Sequence, residues 1–273
     1  MADTNDILGL IAGNRDLPLL FAQQAKAMGV HRLVAIGFDG ETDPTLEKYA
    51  DDVVWLKVGQ LSKMIDAFKK RSVTRCVMLG QVAPKSLFEV RPDFRAMTAL
   101  LKLKEKNAHT VFGALARELA SDGIELIDPR PWLKPIMPTT GFSLGPRLDG
   151  EQEEDVTFGY RIAKEVSRLE IGQSVVVKKG VILAVEGFEG TDQCLKRGGE
   201  LAGKTGCAVA VKVAKEKHDV RFDIPCIGAR TLEVCRDARI SVLAFQQGMT
   251  LVLDRSEVER MAKENKISIV AVG

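Results

Sequence analysis

The chain has 273 residues, 45% of them hydrophobic and 28% charged, with a formal net charge of +2. That is enough for one large globular domain or two modest ones, and the even charge gives no reason to expect bulk nucleic-acid binding, so any cationic site must be local. The five cysteines, Cys76, Cys194, Cys207, Cys226 and Cys235, form no CxxC pair, which argues against a disulfide framework or thiolate zinc site and fits a reducing cytosol.

The stretch Met1–Leu10 lacks the basic region and apolar core of a signal peptide. No apolar run approaches the ~20 residues that span a bilayer. A soluble cytoplasmic protein is expected, at most resting on a membrane.

Short apolar runs then alternate with helical patterns. ILGLIAG (Ile7–Gly13) reads as a buried strand, and the next segment places Leu17, Leu20, Phe21, Ala25 and Met28 at helical spacing. RLVAIGF, VVWLKVG and RCVMLGQ are further strands, with helical LSKMIDAFKKR between the last two. Such alternation predicts a parallel sheet covered by helices. Five of the ten prolines fall between Pro129 and Pro146. Proline fixes φ and removes a donor, so neither a helix nor a central strand is expected there. The expected domains are 1–140 and 153–273, joined by a linker over 141–152.

The second half begins with a helix from Asp155, carrying Phe158, Ile162, Val166 and Leu169 on one face. SVVVKKGVILAVE reads as a hairpin turning at Lys179–Gly180. Helix TDQCLKRGGELAG and strand CAVAVKVA follow, then a charged stretch. Helix ARTLEVCRDAR, strands ISVLAF and MTLVL, helix RSEVERMAKEN and strand ISIVAV complete the chain. This half is also α/β.

Three segments carry candidate chemistry. The first strand-to-helix turn, IAGNRDLP, sits where doubly wound sheets bind ligands, often phosphates at a helix N-terminus. It is not GxGxxG, which argues against dinucleotide redox chemistry. It also reads as a tight turn in which Asp16 caps the helix and Pro18 occupies its first turn. In VEGFEGTD, Glu186, Glu189 and Asp192 recur every third residue on a glycine-bounded turn entering a helix. They could hold a hard cation such as Mg²⁺. The same turn could simply cap its helix through Thr191. In KVAKEKHDVRFDIP, an extended chain would put Arg221 and Asp223 on one side and Phe222 on the other. A cation beside a carboxylate suits phosphoryl chemistry, and a solvated crossover loop is the bland alternative. His31, His109 and His218 do not pair at metal-ligand spacing. Ser143 sits in the proline-rich segment rather than at a strand-to-helix elbow, so a serine hydrolase is unsupported.

Taken in order, GLIAGNRDLPLL, VVVKKGVILAVEGFEGTDQCLKRGG and KVAKEKHDVRFDIPCIG resemble the LpxI-type UDP-2,3-diacylglucosamine pyrophosphatases of lipid A biosynthesis. The likeness covers nearly the whole chain. It implies a Rossmann-like N-terminal domain and a family-specific C-terminal α/β domain with the substrate between them. It also implies hydrolysis of the UDP-activated diacylated sugar to lipid X and UMP, assisted by Mg²⁺ or another divalent cation such as Mn²⁺. A homodimer and transient contact with the inner-membrane leaflet are implied too. Carried over residue by residue, Asp223, Arg221 and Lys215 would be catalytic. Gly13, Asn14, Lys212, Gly190 and Thr191 would bind substrate. Asp223, Glu186, Glu189 and Asp192 would bind metal. This chain departs from the family pattern at Arg15, often glycine, at Glu216, often proline, at His218, usually glutamine, and at Cys226, frequently threonine. A non-catalytic nucleotide-sugar or lipid-phosphate binding protein is the alternative.

Overall fold

The apolar runs of the first half become parallel strands in a computed structural model of the chain, which describes residues 7–81, 92–103, 108–214, 219, 221–222 and 224–273. The chain divides into two units, Met1–Lys134 with Asp219–Asp223, and Pro135–His218 with Ile224–Gly273.

In the first unit β1 (Ile7–Ala12), β2 (Arg32–Phe38), β3 (Asp52–Leu56), β4 (Arg75–Leu79) and β5 (Glu125–Leu126) form one sheet in the order β3-β2-β1-β4-β5. All four pairings are parallel. This is the Rossmann order, and its direction reverses between β1 and β4. Helix α1 (Leu17–Ala27) buries Leu17, Phe21, Ala22 and Ala25. Met28 lies beyond its last turn and is exposed, although its spacing suggested a core position. Helices α2 (Leu61–Lys70) and α4 (Ala108–Ser121) pack Ile65, Phe68 and Leu119 on Val34, Ile36 and Cys76. Between them in sequence lies α3 (Phe94–Leu101). Burial pushes the Cys76 thiol up to about 12, so it behaves as a small hydrophobe.

The proline-rich segment corrects one expectation. Arg130–Leu133 forms a single helical turn because Pro131 occupies its first positions, where a missing N–H costs nothing. Further on, β6 (Ser143–Leu144) adds an antiparallel edge strand to the second sheet, a place that a nearby proline tolerates. Ser143 therefore lies in an edge strand and not at an elbow.

The second sheet runs β6-β13-β11-β9-β7-β8, from β7 (Ser174–Lys178), β8 (Val181–Val185), β9 (Ala208–Lys212), β11 (Ile240–Gln246) and β13 (Ser268–Val272). Strands β9, β11 and β13 are parallel, and β7 runs against both β8 and β9. Helices α6 (Thr191–Leu201), α7 (Ala229–Asp237) and α8 (Arg255–Glu264) cover one face through Cys194, Leu195, Leu232, Cys235 and Met261. Helix α5 (Gly150–Arg168) covers the other through Val156, Ala163 and Val166. A separate parallel pair joins β10 (Cys226–Ile227) to β12 (Leu251–Val252).

The β7–β8 hairpin turns at Lys179 and Gly180, with φ of 52° and 73°, as expected of a tight left-handed turn. Both turn N–H groups donate to the buried carboxylate of Asp155, at 2.7 Å each. Asp155 is thus no helix start. Helix α5 begins five residues earlier, where Asp149 and Gln152 form a capping box. Asp155→Ala would strand two turn donors that now meet a charged acceptor. A loss of roughly 2–3 kcal/mol is expected. Thermal denaturation should show a fall of about 5–10 °C, and an unchanged midpoint would refute the role.

Candidate functional site

In the second unit the residues of interest gather at one end of the sheet. Strand β8 runs out into Glu186, β7 begins at Ser174 and β9 ends at Lys212. Glu186 N–H donates to the Ser174 carbonyl at 2.9 Å, and Ser174 is the register partner of Lys212. Opposed residues on neighbouring strands share a face. Here it is the face of Val176 and Ala210, which lies under α6 and α7. Ser174 is buried, Lys212 is half-buried, and Lys212 enters no ion pair among the described residues.

Helix α6 closes over this row. Gly190 precedes it at φ 82°, a backbone shape that glycine adopts without a Cβ clash. Thr191 is the first helical residue and does not cap the helix. Its hydroxyl donates to Glu186 Oε2 at 3.1 Å and lies 3.3 Å from Ser174 Oγ. Glu186 is 7% exposed and, among the described residues, has no cationic partner. Asp192, in the first turn of α6, accepts from Arg230 Nη2 at 3.2 Å, and Arg230 lies in the first turn of α7. Two helix N-termini therefore start beside one another near the Glu186–Ser174–Lys212 row, an arrangement that favours anions.

Glu189 faces elsewhere. It accepts from Arg197 Nη2 at 2.5 Å and from Gly187 N–H at 3.1 Å. The Arg197 hydrogen bond holds its carboxyl below the usual glutamate range. The three turn acids thus fan out to a hydroxyl, Arg197 and Arg230. Among the described residues no group of three His, Cys, Asp or Glu side chains could hold a metal ion. Spacing by threes on a turn entering a helix separates these carboxylates instead of gathering them. Asp223 and Lys215, with Glu216 and His218, lie outside the described residues.

The charged stretch does not run extended at Arg221. Phe222 N–H donates to the Asp219 carbonyl at 2.9 Å, closing a turn, so alternation does not set the direction of Arg221. The guanidinium grips Asp219 in fork geometry, with Nε to Oδ1 at 2.9 Å and Nη2 to Oδ2 at 2.6 Å. It also lies 5.2 Å over the Phe222 ring. The hydrogen bonds that Arg221 donates to Asp219 raise the Arg221 pKa above its ordinary value. Phe222 packs 5.8 Å from Phe112 and joins the core of the first unit with Leu115 and Ala116. Sequence position assigned this piece to the C-terminal half, but it folds with the N-terminal one.

At the first turn, the backbone N–H groups of Gly13 and Asn14 are committed to the carbonyls of Leu79 and Gln81, at 2.8 and 2.7 Å. The two chain segments touch so closely that a Cβ on Gly13 would lie 2.5 Å from the Gln81 oxygen. These amides are therefore not free to cradle a phosphate. Arg15 has φ 68°, which explains in physical terms why glycine suits that position. Asp16 sits at the N-cap without a capping side-chain bond, and Pro18 occupies the first turn as expected. What the turn does offer is the Asn14 side chain, whose Nδ2 donates to Glu41 Oε2 at 2.8 Å. Ser174, Arg230 and Glu41 were not singled out from the sequence. The register of β7 on β9 and the contacts between neighbouring elements bring them in.

Two family models match the chain in succession, the LpxI N-terminal domain over residues 7–136 and the LpxI C-terminal domain over residues 139–270. A curated relative, the UDP-2,3-diacylglucosamine pyrophosphatase LpxI of Caulobacter vibrioides, is 26% identical over 284 aligned residues, covering 97% of each chain. Among solved structures, the biotin carboxylase domain of the Hydrogenobacter thermophilus 2-oxoglutarate carboxylase is 16% identical over 73% of this chain and 42% of its own, with a TM-score of 0.28. Campylobacter jejuni biotin carboxylase is 15% identical over 71% and 42%, with a TM-score of 0.27. This chain spans less than half of either, and scores so low carry no weight for fold or function.

Proposed function

The chain belongs to the LpxI family, and from that premise we propose that it hydrolyses the pyrophosphate bond of UDP-2,3-diacylglucosamine, a step of lipid A biosynthesis. The products are UMP and 2,3-diacylglucosamine 1-phosphate. The observation that carries the reading is the end-to-end match of both family domains. The polar row at the second sheet's end supports it.

The substrate's two phosphates bring negative charge that must be neutralised where water attacks. Lys212 offers a cation with no ion pair among the described residues, and the first turns of α6 and α7 offer backbone N–H groups. Thr191 keeps the buried Glu186 oriented through its hydroxyl. Water's oxygen joins one phosphorus, the bridging oxygen leaves with the other, and the proton lost by water needs an acceptor. Asp223 is assigned that role, with Lys215 as a further cation. Arg221 is already bound to Asp219, so its charge is fixed in place. Mg²⁺ fits this donor set if it binds through one or two carboxylates together with substrate oxygens, as is usual for that ion. Glu186 is the turn acid left to hold it, since Glu189 and Asp192 are spent on arginines. When bound, the ion would offset phosphate charge and lower the pKa of water.

The test is incubation with UDP-2,3-diacylglucosamine in Mg²⁺, with and without EDTA. UMP should appear in equimolar amount with lipid X and vanish with the chelator. Tight substrate binding without UMP would instead favour a binding protein. We extend the reading to a homodimer and to transient contact with the membrane that holds the substrate. Light scattering would show twice the 29.9 kDa of the chain, and vesicle co-sedimentation would show the contact. Among the described residues no helix is long and apolar enough to cross a membrane.

A further inference from the structure

Among the described residues of the first unit, one buried side-chain polar atom has no hydrogen-bond partner: Asn14 Oδ1. It stands at the carboxyl end of β1, where the strand order reverses towards β4. In open α/β sheets this is where ligands enter. The orientation of the Asn14 amide is not arbitrary. Glu41 can only accept, so the amide must present Nδ2 to it, at 2.8 Å, and Oδ1 is left as an acceptor pointing away.

Glu41 is itself held. The Glu41 and Thr42 N–H groups both donate to the Phe38 carbonyl at 3.0 Å. The buried Thr42 hydroxyl accepts from Phe38 N–H at 2.9 Å and donates to the Ala12 carbonyl. The loop after β2 is thereby tied to the end of β1, and Glu41 is fixed against the turn. The Asn14 backbone N–H is also committed, to Gln81. The side chain is therefore held at both ends, with one acceptor lone-pair set unused. Leaving a buried acceptor unmade is costly, and a site built to hydrogen-bond a donor recovers that cost only when the donor arrives.

We propose that Glu41 is a positioning residue that locks the Asn14 amide so that Oδ1 accepts a hydrogen bond from the nucleoside of the substrate. This rests on the reading given above, in which the substrate carries a uridine nucleotide. Two nucleoside groups have the required chemistry, the imide N–H of the base and a ribose hydroxyl. Both are neutral donors, which matches an amide oxygen and not a phosphate.

The experiment measures UMP binding by calorimetry, and kcat and KM with UDP-2,3-diacylglucosamine, for wild type, Glu41→Ala, Glu41→Gln and Glu41→Lys. Loss of one oriented hydrogen bond is worth about tenfold in affinity. Glu41→Ala should therefore raise the UMP Kd and the KM by about tenfold while kcat stays within about twofold. Glu41→Gln still accepts from Asn14 and should recover most of the affinity. Glu41→Lys can only donate, so it should turn the amide, present Nδ2 to the ligand and lose as much as alanine or more. UMP analogues methylated at the imide nitrogen or lacking the 2′-hydroxyl identify the donor. The analogue missing it should bind wild type about tenfold worse and Glu41→Ala no worse than UMP does. Wild-type UMP affinity in Glu41→Ala would overturn the proposal. So would equal losses in all three variants alongside a fall in melting temperature, the mark of a structural role. If wild type releases no UMP from the substrate, the enzymatic reading fails, while the pattern of UMP affinities still decides the role of Glu41.

Discussion

Asp223→Ala is expected to lower kcat by roughly 10²–10⁴-fold while substrate still binds, since an acid that positions metal or takes water's proton acts mainly in the transition state. Two aspartates in the charged stretch are candidates for this role, and one of them already has a partner. Asp219 is engaged by both arms of the Arg221 guanidinium, so it is not free to hold a metal ion or a water proton. The Lys212 cation and the helix N-termini do not depend on Asp223, so ground-state binding should survive its loss. Asp219→Asn should be milder, on the order of tenfold, through loosening of Arg221. Rates of UMP release, set beside equilibrium binding of the intact substrate to Asp223→Ala, separate the two effects. A wild-type rate for Asp223→Ala would remove Asp223 from the mechanism.

Much of this fold could be read from pattern because its central strands are largely buried and its turns chemically explicit. Strand β2 occupies Arg32–Phe38, the span of the apolar run RLVAIGF, and the hairpin turns where Lys179–Gly180 indicated. Local signals failed where a non-local partner decided the outcome. Asp155 looked like the start of a helix but is the acceptor for a hairpin turn 24 residues away. Glu186, Glu189 and Asp192 looked like a cage, yet they pair apart, with Thr191 and Arg197 of α6 and Arg230 of α7. The family pattern singled out Lys212, but its neighbour Ser174 became visible only through the register of β7 on β9. The allegiance of Phe222 to the N-terminal core could not be read at all, because the chain on both sides of Asp219–Asp223 belongs to the other unit. The Asn14–Glu41 pair was hidden for the same kind of reason. It spans two strand ends that adjoin only once β1 and β2 are paired.

Gly199→Ala should be among the most damaging single-methyl additions in the second unit. A Cβ at Gly199 would lie 2.0 Å from the Ala238 carbonyl oxygen and 2.8 Å from the Ala238 carbon. Ordinary carbon–oxygen contacts need about 3.3 Å, so α6 and the end of α7 would have to part by more than 1 Å. The obstacle is backbone, at the residue where α7 ends and just before Arg239 turns the chain into β11 at φ 55°. It cannot swing aside as a side chain would. Beneath the contact lie Leu195, Leu232 and Cys235, packed with no exposure above 1%. Close-packed cores transmit such a displacement instead of absorbing it. A loss of about 3 kcal/mol or more is expected, a large part of a typical domain's stability. Gly203→Ala is the control. It lies one turn on at φ 78° with nothing within 4 Å, so it tests backbone strain alone, at about 1 kcal/mol. Denaturant titration of both variants, with UMP release measured below the transition, gives the answer. Because Thr191 and Arg230 sit at the first turns of the helices being forced apart, Gly199→Ala should lose activity even where it remains folded, whereas Gly203→Ala should not. A Gly199→Ala protein as stable as Gly203→Ala would show that the two helices are not seated on one another as described.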